Sequence, residues 1–202
     1  QVDSETHAQR RRAMRNMMAT MLFSAGIPMI TAGDERAKTQ HGNNNAYCQD
    51  TVLSWVNWQL NQHELDLEDT VAHLIRLRNE NSVLRPKRFN NFDEATAESD
   101  LARWYNVFGQ IMTEDDWNNS ENRTFSKLGK SVDENGSTNQ LLLVVHGTEA
   151  GIEFTLPSEI ETAGFELLWD SHLERPTAAL STAKPGEVIK LPATSIRLYN
   201  VL

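Results

Sequence analysis

The sequence predicts an α+β fold in two parts, in which helix, strand and helix elements of a parallel α/β unit precede an all-β antiparallel sandwich. Apolar residues recur at helical spacing on both sides of a short apolar run near residue 30. A long polar loop separates that run from the second helical pattern. The last hundred residues form short apolar or alternating segments broken by turn signals, which is typical of a sandwich.

Composition limits the class of protein. The 202 residues suffice for one large or two small domains with a buried core. The net charge of −9 argues against nucleic acid or an anionic membrane as a partner. The sequence contains no run of about 20 apolar residues and no signal-peptide pattern. The single cysteine, Cys48, excludes an internal disulfide framework, which fits the cytoplasmic location that we expect. We interpret Cys48 as a buried or semi-buried packing residue.

The first 32 residues predict a helix followed by a buried strand. The helix is expected over 4–25, with Ser4 as its cap and Gly26 at its left-handed end. The apolar run 27–32 predicts the strand. Because a parallel strand pairs on both edges and is covered on both faces, we expect its partner strands upstream, in a longer chain. The apolar face of the helix is rich in methionine, which we interpret as core packing: Met14, Met17, Met18, Met21, Leu22 and Ala25.

The remainder predicts a second helix, a linker and a set of strands. The second helix is expected over 67–83 with Asp66 as its cap, and Pro86 ends it. Residues 85–100 lack periodicity and are interpreted as a linker, so we divide the chain into domains 1–86 and 87–202. The strands are expected at 101–108, 110–112, 123–128, 141–145, 152–156, 165–169, 188–191 and 195–202.

The loop after residue 32 is the candidate functional segment. Gly33 breaks the apolar run, Asp34 and Glu35 follow at once, and a polar loop of some twenty residues comes next. Loops of this length are usually functional or disordered. Amides and carboxylates can satisfy sugar hydroxyls, and aromatic rings can stack on pyranose faces. The alternative is a solvated loop whose asparagines bond to their own backbone in Asx turns. The loop is dense in amides and aromatics, namely Gln40, Asn43, Asn44, Asn45, Gln49, Tyr47, Trp55 and Trp58.

The exact string of this loop resembles a known family. Residues 33–50 read GDERAKTQHGNNNAYCQD, and residues 54–58 read SWVNW. Both resemble the segment after the eighth barrel strand of bacterial glycogen-debranching enzymes, the isoamylase-type branch of the α-amylase superfamily. The resemblance implies that 1–86 are the C-terminal end of a catalytic (β/α)8 barrel, comprising a helix, strand eight, the substrate loop and helix eight. A weaker resemblance in the β-sandwich rests on Asp100, Trp104, Gly109 and Trp117.

The chain departs from the family pattern at three places in the loop. Arg36-Ala37 replaces Phe-Gly, Lys38 replaces an arginine, and Asn57 replaces an acidic residue. An Arg-to-Lys change loses a planar bidentate fork. These departures bear on the length of branch that is accepted and leave the resemblance intact.

The resemblance implies that the parent protein hydrolyses α-1,6 branch linkages in glycogen or limit dextrins, by a retaining route without a cofactor. Such cleavage needs two carboxylates that flank the bond. In the superfamily these follow barrel strands four and five, with a third Asp after strand seven, so none is expected here and the chain alone is predicted to be inactive. Asp34 and Glu35 are neighbours that point opposite ways in an extended chain. We interpret them, with Asp50, as structural rim residues.

The predicted substrate-binding residues are Gln40, Asn43, Asn44, Asn45 and Tyr47. A calcium site from Asp34, Asn43 and Asp50 is a weaker alternative because no spacing motif supports it, and no metal is predicted. The expected partners are an α-glucan and the upstream barrel. Since the apolar faces of 27–32 and of both helices would be uncovered in this chain alone, self-association is also expected.

Two alternative functions remain at the level of sequence. The first is a non-catalytic β-sandwich module that binds glucan or stabilises a partner domain. In that case Trp104, Trp117 and Trp169 would form a stacking surface, whereas ordinary packing is the competing interpretation of these rings. The second is a related branch of the superfamily that acts on other α-glucans.

Overall fold

The computed structural model describes residues 3–86, 101–132, 135–177 and 181–202. Most of the predicted linker, from residue 87 to Asp100, lies outside these ranges. Within them, the helices are α1 (Ser4–Phe23), α2 (Gln62–Glu80) and α3 (Glu114–Asn118). The strands are β1 (Leu101–Tyr105), β2 (Thr124–Val132), β3 (Thr138–His146), β4 (Ile152–Thr155), β5 (Phe165–Asp170), β6 (Thr182–Ala183), β7 (Val188–Leu191) and β8 (Ser195–Val201).

The strands form two antiparallel sheets. The larger sheet has the order β1-β2-β3-β8-β5-β6, and the smaller one pairs β4 with β7. β2 and β3 form a long hairpin, in register from Thr124↔His146 to Val132↔Thr138. β8 then inserts between β3 and β5, so the centre of the larger sheet is closed by the end of the chain. The expectation of an antiparallel all-β region is therefore confirmed.

The larger sheet is buried on both faces, and this explains its apolar central strand. Along β3, Leu142 and Val144 face the smaller sheet, where they pack with Phe154. The alternate residues Leu141 and Leu143 belong to the opposite face, which the helices cover. The buried residues of that second core come from both helices, from the turn after α2 and from the sheet: Ala19, Leu22, Phe23, Leu67, Val71, Leu74, Leu77, Leu84, Leu141, Trp169, Ile196 and Leu198.

α1 begins at its predicted residue but is capped one residue earlier, and α2 begins five residues earlier than predicted. The cap of α1 is Asp3, whose carboxylate accepts a hydrogen bond from the Thr6 amide at 2.7 Å. The cap of α2 is Asn61, which forms a capping box with Glu64. The predicted cap Asp66 lies inside α2 and is buried. None of the helices in the described ranges carries an apolar stretch of membrane-spanning length.

The predicted strand over 27–32 is absent, and this prediction is wrong. These residues have no regular structure, and Ile27 and Met29 are 93% and 85% exposed. A parallel strand needs neighbours for its backbone hydrogen bonds, and the described residues supply none. Instead, Arg78 of α2 holds the start of the segment, because its guanidinium donates to the carbonyls of Leu22, Ser24 and Gly26.

Candidate functional site

The loop begins with a tight turn that uses both candidate rim carboxylates. Gly33 has φ +101°, and Asp34–Arg36 form one 3-10 turn. Asp34 accepts from the Thr31 amide at 3.3 Å, and Glu35 accepts from the Gly33 amide at 2.9 Å. Both carboxylates therefore bond backbone of their own turn, and this geometry offers no pair aimed at a common glycosidic bond.

Arg36 connects this turn to the second helix. Its Nη2 donates to Glu68 Oε1 of α2 at 2.8 Å, and its Nε lies 3.5 Å from Glu35 Oε1. The guanidinium carbon also lies 4.7 Å from the centre of the Trp58 ring, which is cation–π geometry. Arg36 thus fixes the two ends of the loop against the same helix.

Lys38 makes a second connection across the loop. Its ammonium donates to the Ser54 carbonyl at 2.7 Å. The Ser54 hydroxyl in turn donates to the Gln49 carbonyl. A single ammonium suffices for this contact, so Lys38 closes the loop without the bidentate fork of an arginine.

The predicted substrate-binding amides are divided between self-bonding and free groups. Asn43 Oδ1 accepts from the Asn45 amide at 2.9 Å, and Asn45 Oδ1 accepts from the Tyr47 amide at 3.0 Å. These are Asx turns, and they leave the side-chain NH2 groups as donors. In the described part of the chain, the exposed side chains of Gln40 and Asn44 make no hydrogen bond.

Three large aromatic rings are exposed on the same loop. Tyr47, Trp55 and Trp58 are 82%, 57% and 77% exposed. Trp55 is held by Asp50, whose Oδ1 accepts from the indole Nε1 at 2.7 Å. The predicted site did not include Trp55, Trp58 or Arg36. The SWVNW motif was the signal for the tryptophans, whereas nothing in the sequence indicated that Arg36 would lie over Trp58.

The structure brings together a different group of possible metal ligands from the one considered in the sequence. Ligand atoms of His63, Asp66 and Glu174 lie within 4.8 Å of one another. However, Arg175 Nε lies 2.6 Å from Asp66 Oδ1, and Arg11 Nε lies 3.1 Å from Glu174 Oε1. Guanidinium groups therefore already balance these carboxylates, which join the 170–175 turn to both helices.

The remaining candidates are the three tryptophans of the β region and the single cysteine. Trp169 is 2% exposed and packs edge-on against Phe23 at 5.9 Å, so it is a core residue and cannot stack on a sugar. Trp104 and Trp117 pack against each other at 5.4 Å. Cys48 is exposed and has φ +58°, so its interpretation as a buried packing residue is wrong.

Comparisons with known proteins identify relatives. None of the known protein-family models matches the chain. The glycogen operon protein GlgX homolog of Mycobacterium tuberculosis H37Rv is 33% identical over 210 residues, which cover 98% of this chain and 28% of that protein. The glycogen debranching enzyme of Dickeya chrysanthemi is 34% identical over 157 residues, which cover 78% of this chain and 22% of that protein.

Solved structures share the fold at lower sequence identity. A pullulanase from Bacillus acidopullulyticus matches with a TM-score of 0.71 and 17% identity, over 98% of this chain and 21% of that one. A pullulanase from Anoxybacillus, complexed with maltotetraose, matches with a TM-score of 0.63 and 18% identity, over 96% of this chain and 24% of that one. The described sheets and helices therefore have the fold of one part of a pullulanase-type enzyme.

Sequence similarity assigns the chain to a narrower family than its pullulanase-type fold does. The chain belongs to the isoamylase-type glycogen-debranching enzymes and corresponds to a C-terminal part of one. It spans less than a third of the length of the curated relatives that it matches.

Proposed function

We propose that the enzyme containing this chain is a glycoside hydrolase that cleaves α-1,6 branch linkages in glycogen or limit dextrins. The observation that carries the proposal is the loop 33–58, where free amides and exposed rings stand on a turn fixed to α2. The names of the relatives support the debranching reaction. The maltotetraose named with the Anoxybacillus pullulanase supports an α-glucan as the ligand class.

In this proposal the chain contributes one wall of the substrate cleft. Residues 1–86 are the last elements of the barrel, and the upstream barrel covers the exposed side chains of Ile27 and Met29. Gln40, Asn44 and the free NH2 groups of Asn43 and Asn45 then bond glucan hydroxyls, together with Tyr47. The protein acts in the cytoplasm, without a cofactor.

The catalytic carboxylates belong to the upstream barrel. A retaining hydrolysis uses one carboxylic acid and one carboxylate nucleophile about 5–5.5 Å apart, on opposite sides of the bond. Asp34 and Glu35 instead bond the backbone of their own turn. The chain alone therefore positions substrate and hydrolyses nothing.

The test measures reducing ends released from a branched limit dextrin by this chain and by the longer enzyme. We expect no release from the chain alone and release from the longer enzyme. In the longer enzyme, Asn44→Ala should raise KM about three- to tenfold, since one hydrogen bond to the substrate is lost. Asn79→Ala, an exposed asparagine on α2, is the control and should leave KM unchanged.

Two results would contradict the proposal. Release by the chain alone would assign chemistry to Asp34, Glu35 or another carboxylate of these 202 residues. The second result is that the longer enzyme hydrolyses linear α-glucan but leaves limit dextrin intact. That result would place the protein in another branch of the superfamily.

A further inference from the structure

Trp58 is both strongly exposed and firmly positioned, which is an unusual combination for a large apolar ring. It is 77% exposed, although burying an aromatic side chain would stabilise the fold by removing apolar surface from water. One side of its ring lies under the Arg36 guanidinium, at 4.7 Å from the ring centre. Arg36 is anchored in turn by Glu68 of α2, at 2.8 Å.

This chain of contacts orients the ring before any ligand arrives. A cation above one face of an indole leaves the opposite face for another partner. Ordering a side chain in advance removes part of the entropy cost of binding. The ring is therefore a flat apolar surface of fixed direction, on the loop that also carries the exposed amide of Asn44.

We propose that Trp58 is a stacking platform for one glucosyl unit of the α-glucan, with Arg36 as the residue that positions it. A pyranose ring has an apolar C–H face, which matches the bare face of an indole. The proposal rests on the proposed function, because that function supplies the α-glucan. It goes further by naming the residue on which a sugar stacks.

The experiment titrates this chain with maltohexaose in a calorimeter. Trp58→Ala should weaken binding about tenfold, as expected for loss of an aromatic anchor. Trp58→Phe keeps a smaller ring and should weaken it about two- to threefold. The control is Trp117→Ala, which removes a ring that is 52% exposed on α3 and should leave the affinity unchanged.

Arg36 is tested through its charge. Arg36→Gln removes the cation above the ring and should weaken maltohexaose binding about threefold, whereas Arg36→Lys, which keeps a cation, should restore most of the affinity. A merely structural role would instead lower the thermal midpoint of both variants and leave the affinity of the folded fraction unchanged. Thermal unfolding of Trp58→Ala should match the wild type because the ring is exposed.

Several outcomes would overturn the inference. They are wild-type affinity in Trp58→Ala, equal losses in Trp58→Ala and Trp117→Ala, and no binding by the wild-type chain. The debranching assignment is judged separately, by hydrolysis of limit dextrin by the longer enzyme. If Asn44→Ala raises KM there while Trp58→Ala binds maltohexaose normally, the proposed function stands and the stacking role fails.

Discussion

Arg78 is the side chain on which the junction of α1 and the loop depends. Its guanidinium is buried and donates to the Leu22 carbonyl at 2.5 Å, to that of Ser24 at 2.9 Å and to that of Gly26 at 2.6 Å. Carbonyl groups at a helix C-terminus carry partial negative charge and lack partners within the helix. Arg78, on the neighbouring helix, supplies hydrogen-bond donors and a positive charge to these carbonyls. It does so even though burial lowers its pKa.

Replacing Arg78 should therefore destabilise the fold. We expect Arg78→Gln to lower the free energy of unfolding by about 3 kcal/mol, since three hydrogen bonds from a charged donor are lost and the carbonyl of buried Leu22 is left unpaired. Urea denaturation monitored by circular dichroism measures this change. Arg76→Gln, an exposed arginine on the same helix, should change it by less than about 0.5 kcal/mol. Equal effects of the two substitutions would show that the three carbonyl contacts contribute nothing.

Asp66 makes part of the stability depend on pH. Burial raises the pKa of this carboxyl, but hydrogen bonds from Gln62 and Arg175 and the charge of Arg175 outweigh that effect and hold the pKa below its usual value. A carboxyl whose pKa is lowered on folding stabilises the protein above its unfolded pKa, near 4. That contribution disappears as the pH falls through the folded pKa.

The stability of Asp66→Asn relative to the wild type should therefore depend on pH. Above about pH 5 the variant should be less stable by about 1 kcal/mol, a modest value because Arg175 is half exposed. Below about pH 4 the difference should shrink toward zero. Urea midpoints between pH 3 and pH 8 provide the measurement, and a difference that is constant over this range would contradict the role of ionised Asp66.

At the scale of elements, the end of α2 docks on the sheet at a position that requires glycine. After α2, the 3-10 turn Ser82–Leu84 lies against β2. A Cβ on Gly129 would lie 2.6 Å from Val83 Cγ2, which is closer than real Cβ contacts. The Ser82 and Ser131 hydroxyls bond each other beside this contact. The missing side chain of Gly129 therefore sets how closely this turn approaches the sheet.

A double-mutant cycle tests that contact. Gly129→Ala should destabilise the fold by about 1–3 kcal/mol because the added methyl group overpacks against a stiff β-branched side chain. In the Val83→Ala background the same substitution should cost much less, since the obstructing methyl group is gone. Thermal or urea unfolding of the four proteins gives the coupling energy. If the effects of the two substitutions on stability were strictly additive, the strain caused by Gly129→Ala would arise from a contact other than that with Val83.

Some elements could be predicted from sequence because their signals are local. β7 forms at its predicted bounds, and the sequence shows the capping box that starts α2 as Asn61 followed by Glu64, whereas the predicted cap, Asp66, lies inside the helix. The two-residue β6 is too short to give a pattern. The orientation of Trp169 depends on a bulge between Leu167 and Trp169, which turns this ring toward the helices.

The candidate site likewise combines features that the local sequence predicts with contacts between residues that are far apart in the chain. Its amides and aromatics could be named from the motif, and the Asx turns of Asn43 and Asn45 follow from local chemistry. The contact of Arg36 with Glu68 joins residues 32 apart in the chain, so periodicity could not reveal it. The segment 27–32 has the composition of a strand, but composition does not supply neighbouring strands.

At the scale of the whole molecule, the larger sheet acts as a partition between two cores. Its inner face packs on the smaller sheet and its outer face on the helices. This arrangement leaves the opposite sides of the helices open. Met17 is 73% exposed, and a cavity of about 340 Å³ lies between the methionine face of α1 and the turn of the loop, lined by Met14, Met17, Met18, Met21, Asp34, Ala37 and Lys38.

We therefore expect the isolated chain to self-associate through this open side. Ile27, Met29 and Met17 present apolar surface that folding of these 202 residues does not remove from water. Sedimentation velocity should show a weight-average mass that rises with protein concentration. The double variant Ile27→Ser/Met29→Ser should shift the rise to higher concentration, because the most exposed apolar side chains are gone.

The control for that experiment removes exposed apolar residues from the other side of the molecule. Phe108→Ser/Ile111→Ser changes two exposed side chains of the β region and should leave the association unchanged. A wild-type chain that stays monomeric at millimolar concentration would show that the open helix face is not adhesive. If only the β-region variant reduced association, the contact surface would lie on the sheets.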